Sequence, residues 1–376
     1  IGKPISGEWG EDDDTGTGIP VLRTTNFTND GTVDYDEIVF RTINKKNISE
    51  KYLRKGDIII EKSGGSDKQP VGRVIYFDGP ENKYLFNNFT GLLRIKDKNE
   101  WNSKFGFYSL FSNYKKGGTR KFENKTTGLH NLKLDDYVTK YDVPKLNIYE
   151  QALISNKLDQ IQKIIKINKK ELELFDLLIK ARFIEMFGDP VSNSKHLPLK
   201  TLPQLGTFGR GVSKYRPRNA PELLNGPYPL IQTGDIANSE LYIKNYNNTY
   251  SEVGLKQSKM WDKGTLCITI AANIAKTAIL QFDACFPDSV VGFNGNTLTD
   301  NIFLHYWFSF FQEILENQAP ESAQKNINLK ILSELQIITP DIIEQNQFAD
   351  FVKQVDKSRF VLDESIIKLE REIVYD

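Results

Sequence analysis

The sequence predicts an α+β fold. Two mixed α/β domains are separated by two long helices forming an antiparallel coiled coil, and the whole carries an internal pseudo-two-fold repeat. Three observations predict it. Four blocks recur in the same order at a period of about 190–210 residues. Within the blocks, Gly-bearing turns lead into apolar, β-branched stretches, the pattern of buried strands. After each copy runs a segment with apolar residues at alternating spacings of four and three, the pattern of a coiled-coil seam. The divisions that follow are 1–145 and 191–341 for the globular domains, 146–190 for the central long helix and 342–376 for the C-terminal one.

The first repeated block is Gly18 to Phe27, paralleled by Gly226 to Ile236. The second is a turn and strand, Leu53-Arg54-Lys55-Gly56-Asp57-Ile58-Ile59-Ile60, paralleled by Trp261-Asp262-Lys263-Gly264-Thr265-Leu266-Cys267-Ile268. Gly72 to Asp78 then parallels Ala275 to Asp283, and Asn131 through Pro144 parallels Asn328 through Pro340. Each closing proline is followed by Glu-Gln (Glu150-Gln151 and Glu344-Gln345) and then by a helical pattern. The sequence between the blocks differs greatly, as expected of one scaffold with two surface specificities.

The first seam is Ile154, Leu158, Ile161, Ile165, Asn168, Leu172, Phe175 and Ile179; the second is Phe348, Val352, Val355, Arg359, Leu362, Ile366, Leu369 and Ile373. Asn168 is fifth in its set and Arg359 fourth in its own, so antiparallel alignment of the two sets places these polar residues opposite each other as a register-setting layer. Residues 154–179 would span about 38 Å at 1.5 Å per residue. That is close to one DNA turn of roughly 34–36 Å, so the pair could act as a ruler between two heads.

Composition narrows the function. The chain has 376 residues, with 49 Lys+Arg balancing 49 Asp+Glu, which excludes a uniformly basic nucleic-acid coat. No run of about 18 apolar residues occurs, so no membrane span is expected. Ile1-Gly2-Lys3-Pro4 has neither Met nor an apolar signal core and reads as a trimmed start. Cys267 and Cys285 sit in apolar runs and suit a reduced cytoplasm. His130, His196 and His305 are far apart without Cys or His at ligand spacing, so no zinc site is expected. Gly206 to Gly211 has phosphate-loop glycine spacing, but Val212 stands where the lysine belongs. Glu81-Asn82-Lys83 and Glu123-Asn124-Lys125 carry the E-x-K half of a nuclease signature, a match short enough to arise by chance. The expectation is a binding protein with no catalytic residues and no metal. A protein-binding structural adaptor and a single-chain nuclease using E-x-K are the competing readings.

The neutral total hides two basic stretches. Residues 104–133 hold Lys104, Lys115, Lys116, Arg120, Lys121, Lys125 and Lys133 against Glu123 alone; residues 200–218 hold Lys200, Arg210, Lys214, Arg216 and Arg218 and no acid. Lysine and arginine neutralise phosphates, and Arg, Asn and Gln read base edges, although a basic run can also be a mere solvated face. Candidate DNA contacts in the first half are Lys62, Ser63, Gly64, Gly65, Arg73, Lys115, Lys116, Arg120, Lys121, Lys125, Thr126, Thr127 and His130. In the second they are Arg210, Lys214, Arg216, Arg218, Asn273, Lys276, Ser322, Gln324, Lys325 and Asn326. Asn131 and Asn328, at the head of the last repeated block, are expected to cap or turn the backbone.

Two unlike globular regions, each followed by a long helix, resemble the specificity subunit of type I restriction-modification enzymes. The residues that carry the resemblance are Ser6-Gly7-Glu8-Trp9-Gly10, Gly18 to Phe27, Lys55-Gly56-Asp57-Ile58, Pro229 to Ile236, and Arg182-Phe183 through Met186-Phe187-Gly188-Asp189. The resemblance implies that 1–145 and 191–341 are target recognition domains, each reading half of a split double-stranded DNA sequence. It implies helices that set the unread spacer and dock two methyltransferase subunits, with a motor-nuclease restriction subunit as a further partner and no membrane. S-adenosylmethionine would bind those methyltransferase partners, which would methylate N6 of an adenine in each half-site; this chain would hold no cofactor. Leu197 to Thr207 has no counterpart in the first half, so about a dozen residues are expected to precede Ile1 in a complete member.

Overall fold

The structure, a computed structural model, describes residues 2–45, 48–126, 129–271, 274–318 and 327–375. The chain divides into two compact units, Ile1–Glu171 with Leu362–Asp376, and Leu172–Val361. Each unit therefore takes part of both long helices.

The first unit contains β1 (Ile5–Ser6), β2 (Glu11–Asp12), β3 (Ile19–Leu22), β4 (Val39–Thr42), β5 (Ile58–Glu61), β6 (Ser63–Gly65), β7 (Val74–Tyr76), β8 (Leu85–Phe86), β9 (Thr90–Leu93), α1 (Ser103–Lys115), β10 (Glu123–Thr126), β11 (Leu129–Leu132), α2 (Leu134–Lys140) and the start of α3 (Ile148–Phe187). Its sheets run β1-β9-β5-β7, β2-β4-β3-β8 and β10-β11-β6. Strand β5 reads Ile-Ile-Ile-Glu and is buried throughout. Such a continuous run, without alternation, belongs to a strand covered on both faces. Ile59 joins Leu22, Phe77, Phe86 and Leu92 in one core, whereas Ile58 lies beside Gly106 of α1.

The second unit contains β12 (Leu199–Thr201), α4 (Leu202–Leu205), β13 (Gly206–Arg210), β14 (Leu224–Leu230), α5 (Thr233–Ala237), β15 (Tyr242–Ile243), β16 (Asn248–Tyr250), α6 (Glu252–Lys256), β17 (Met260–Trp261), β18 (Leu266–Thr269), β19 (Thr277–Leu280), β20 (Ala284–Cys285), β21 (Val290–Gly295), α7 (Asn301–Gln318), α8 (Leu329–Glu334), β22 (Gln336–Ile338) and most of α9 (Ile342–Tyr375). The repeat is explicit in the strand orders. β13-β21-β18-β19, extended by β15, repeats β1-β9-β5-β7; in the second sheet β3 pairs in parallel with β8, as β14 does with β20. The lead-in segment Leu197 to Thr207 supplies β12, which pairs antiparallel with β22.

Two local devices recur with the strand order. Gln151 and Gln345, from the paired Glu-Gln sites, are both fully buried. Gln151 accepts from the Asn102 amide at 2.8 Å and donates to the Glu100 and Leu146 carbonyls at 2.9 and 2.8 Å. Gln345 accepts from the Asp300 amide at 3.0 Å and donates to the Leu298 and Pro340 carbonyls at 3.0 and 2.9 Å. Asn102 and Asp300 in turn cap α1 and α7, accepting from the amides two and three residues on. Each glutamine thus ties the base of a long helix to the cap of the helix packed against its sheet. The second device is glycine. A Cβ on Gly7 would collide with the Phe86 and Asn87 carbonyl oxygens, and one on Gly211 with those of Phe286 and Pro287. Both sites follow the edge strands β1 and β13, where the chain is pressed against the segment leaving β8 or β20.

α3 and α9 run antiparallel within each unit. In the first, Asn168 Nδ2 lies 3.5 Å from Ser365 Oγ and Lys169 pairs with Glu370 at 2.7 Å. In the second, Arg359 pairs with Asp176 at 2.6 Å, and Phe348 meets Phe183 and Phe187 with ring centroids 5.3 and 5.7 Å apart. This corrects the expected polar layer: Asn168 and Arg359 do not face each other. The register is displaced by about one heptad, a slide that keeps apolar positions opposite apolar positions. Phe183 and Phe187 thereby join the seam, and Ile154 remains 37% exposed. Ile161, Ile165, Ile179, Phe348, Val352, Val355, Arg359, Ile366 and Ile373 are buried, and Leu158, Asn168, Leu172, Phe175, Leu362 and Leu369 partly so.

Candidate nucleic-acid interface

In the first unit the turn after β5 is built into a small sheet. β6 pairs with β11 and β11 with β10, so that His130 lies opposite both Gly65 and Lys125. The Phe89 carbonyl accepts from the Lys62 and Ser63 amides at 2.7 and 3.2 Å, and Ser63 Oγ donates to Asn131 Oδ1 at 2.5 Å. Gly64 stands at φ 112°, which only glycine adopts without strain. Lys62 Nζ reaches Ser6 Oγ at 3.3 Å, and burial draws its pKa down. Arg120 and Lys121 are exposed at the foot of the hairpin, Arg120 donating to the Asp67 carbonyl at 3.2 Å. Phe89 and Leu129, 51% and 56% exposed, add apolar surface to this small sheet, Leu129 at the end of the hairpin away from Arg120 and Lys121. Neither is among the candidates drawn from the sequence: Phe89 lies outside the basic runs, and Leu129 lies within 104–133 but carries no charge or polar side-chain group.

Other candidates of this half are spent on the fold. Arg73 donates to the Phe27 and Thr24 carbonyls at 2.9 and 2.7 Å and lies 3.6 Å from Glu61. His130 is buried, with Nδ1 3.2 Å from Glu123 Oε2 and Nε2 3.7 Å from Asp67. Glu123 also accepts from the Val71 amide at 3.2 Å, so its E-x-K match is a structural carboxylate. Lys115 and Lys116 end α1 and lie over the rings of Phe111 and Tyr375, each 5.2 Å from the centroid. Cations at a helix C-terminus are favoured by the helix dipole, which accounts for them without nucleic acid. Lys104 pairs with Asp159 of α3, which also accepts from Tyr108 at 2.8 Å. Much of the basic run 104–133 thus faces the long helices.

In the second unit the segment 211–220 forms an arginine-bearing loop fastened at several points. Gly211 N donates to the Val290 carbonyl at 2.8 Å. Ser258 Oγ donates to the Val212 carbonyl at 2.8 Å. Gln257 Oε1 accepts from the Lys214 and Tyr215 amides at 2.7 and 3.0 Å. Arg216 Nη1 donates to the Ser213 and Tyr215 carbonyls at 2.6 and 2.8 Å. Asp288 holds Arg218 at 2.6 Å through one oxygen and approaches Arg216 at 3.8 Å with the other. Arg210, Lys214 and Lys276 are exposed and have no ion-pair partner among the described residues. Asn328 caps α8 as expected, accepting from the Ile331 amide at 2.9 Å, whereas Asn131 bonds Ser63 instead. Thr127, Asn273, Ser322, Gln324, Lys325 and Asn326, and the side chains of Lys125 and Thr126, lie outside the described residues.

Among the described residues no group of three or more His, Cys, Asp or Glu is placed to hold a metal ion, and no helix is long and apolar enough to cross a membrane. Two units of one strand order, each with exposed basic loops of its own, make a duplicated protein built as two binding heads. Residues 6–174 and 201–371 each match the family described as type I restriction modification DNA specificity domain. The chain belongs to that family and is a specificity subunit with two recognition domains. It is similar in fold to a chain from a structure concerned with complex assembly and conformational transition of the type I R-M system, at 15% identity over 98% of this chain and 93% of that one, with a TM-score of 0.61. It is also similar to the type I restriction-modification S subunit from M. genitalium, at 15% identity over 99% and 91% of the two chains, with a TM-score of 0.56.

Proposed function

We propose that this chain reads a two-part DNA sequence and presents it to two methyltransferase subunits. Residues 1–145 and 191–341 act as the two readers, and 146–190 and 342–376 as the helical spacer. The observation that carries the reading is one strand order built twice with different loops: the small sheet β10-β11-β6 in one unit and the Asp288-fastened loop in the other. Docking is supported by apolar residues left outside the seam. These are Ile164, Ile167 and Ile367 in the first unit, and Leu174, Leu177, Phe360 and Val361 in the second, each at least 45% exposed. Such surface on a helix pair suits another helix. S-adenosylmethionine and adenine N6 chemistry, including extrusion of the target base, belong to the partner subunits in this reading. A motor-nuclease subunit completes the restriction enzyme, and the assembly works in the cytoplasm.

The test is co-expression of the full chain with methyltransferase subunits and single-molecule mapping of methylated adenines. The expected motif has two specified parts around an unspecified spacer, with one methylated adenine in each. A contiguous motif, or none, would overturn the reading. Salt titration separates it from a protein-binding adaptor, because phosphate contacts give a steep slope.

A further inference from the structure

The geometry points to Arg218 as a reader of guanine in the half-site contacted by the second unit, with Asp288 as its positioning residue. This rests on the DNA-reading function proposed above and deepens it. A guanidinium that reads a base must meet O6 and N7 of guanine with two N–H groups held in one plane. A free arginine loses rotamer entropy on doing so, and a carboxylate holding one of its nitrogens removes part of that cost in advance.

Arg218 meets these requirements in a way its neighbours do not. Its Nη2 donates to Asp288 Oδ1 at 2.6 Å, and its side chain is 46% exposed. A guanidinium carries five N–H groups, and among the described residues the Arg218 side chain engages Asp288 alone. Nη1 and the second Nη2 hydrogen therefore remain as a two-pronged donor edge. Arg216 differs: its Nη1 bridges two loop carbonyls and its Nη2 leans toward the same aspartate, so it acts as a brace for the loop. The loop backbone is anchored independently by Gln257, Ser258 and the Gly211 amide. The arginine edge thus sits on a platform that does not need DNA to form. Asp288 itself lies in the turn between β20 and β21, the segment against which Gly211 is pressed.

The experiment uses the full chain with its methyltransferase partners and a randomised DNA library, read as base preference at each position. The wild type is expected to require guanine at one position of one half-site. Arg218→Gln should lower that preference by about ten- to a hundredfold and turn it toward adenine, whose N6 and N7 suit a carboxamide. The other half-site should be unaffected. Asp288→Asn should soften the same position and no other. A thermal melt accompanies each variant, and if Arg218→Gln does not fold, Asp288→Asn decides at that position. An even loss of affinity across all sequences, with a salt slope shallower by about one, would make Arg218 a phosphate contact and overturn the assignment. A two-part motif with no guanine in that half-site, or with its guanine untouched by both variants, would also overturn it while leaving the proposed function standing. Absence of any two-part preference in the wild type would instead sink the function on which it rests.

Discussion

Replacing Gln345 by leucine should unlock the second unit at a single point. The side chain is fully buried and satisfies the Asp300 amide, two carbonyls and the Thr299 hydroxyl, the last at 3.2 Å. Leucine fills a similar volume but returns none of these bonds. A buried donor left unpaired costs about 1–3 kcal/mol, and carbonyls with a lone pair still engaged cost less. Extra apolar burial offsets about 1 kcal/mol, so a net loss of about 3 kcal/mol is expected. For a domain of this size that corresponds to a fall in melting temperature of about 6–12 °C. Calorimetry measures the fall, and hydrogen exchange locates it: the Asp300 amide and the first turn of α7 should lose protection before β18 does. Gln151→Leu should act alike on the Asn102 amide and α1. A shift below about 1 kcal/mol, or unchanged exchange at Asp300, would refute the clamp.

The remaining predictions concern charge and register. Asp176→Asn with Glu240→Gln should destabilise the second unit by about 2–4 kcal/mol, because Arg359 keeps its charge in a site where its side chain is 10% exposed. Arg359→Leu should be close to neutral, since both acids are mostly exposed; urea midpoints that rank the two changes the other way would disprove this asymmetry. Glu61 is 4% exposed, and burial raises its carboxyl pKa against a smaller opposing pull from Arg73. The folded state thus holds this proton more tightly than the unfolded chain. The site's contribution to stability is greatest below the ordinary carboxylate range and falls as pH rises through it toward the raised value. Glu61→Gln should accordingly stabilise the protein at pH 7 and make little difference at pH 3, and a gain of equal size at both would refute the assignment. Asn168→Leu should raise the stability of the first unit by about 1 kcal/mol, since its bond to Ser365 is long; a lower denaturant midpoint would contradict that.

How much was legible in the sequence follows from the range of the forces involved. Strand β5 announces itself through Ile58, Ile59 and Ile60, because β-branched side chains and burial act locally. The duplication was equally plain, and it carried the strand order of one unit into the other. The helix register was not. A seam repeating every seven residues scores almost the same after a slide of one heptad. The choice falls to particular contacts, Phe348 with Phe183 and Phe187, and Arg359 with Asp176. Phe183 and Phe187 follow Ile179 at two successive steps of four, out of the four-and-three alternation, so a strict heptad stops short of them. Charge misled for a related reason. Lys104, Lys115 and Lys116 count toward a basic run, but α1 turns them toward the long helices. Asp288 could not be found by spacing, since a turn far along the chain brings it to Arg218.

The composition of the first unit bears on how the chain is made. Its globular part precedes residue 171, yet Leu362–Asp376 belongs to the same compact body. Ser112 Oγ donates to the Val374 carbonyl at 2.5 Å, across a separation of 262 residues. The second unit, by contrast, is one uninterrupted stretch. During synthesis the first unit is therefore the earlier to emerge and the later to close, since the last stretch of α9 must arrive before Ile161 and Ile165 are covered. Contacts of that separation form slowly, and apolar surface left waiting invites aggregation. A released chain shortened to end before residue 362 would carry a finished second head and an unfinished first, so the recognition half made first becomes usable last.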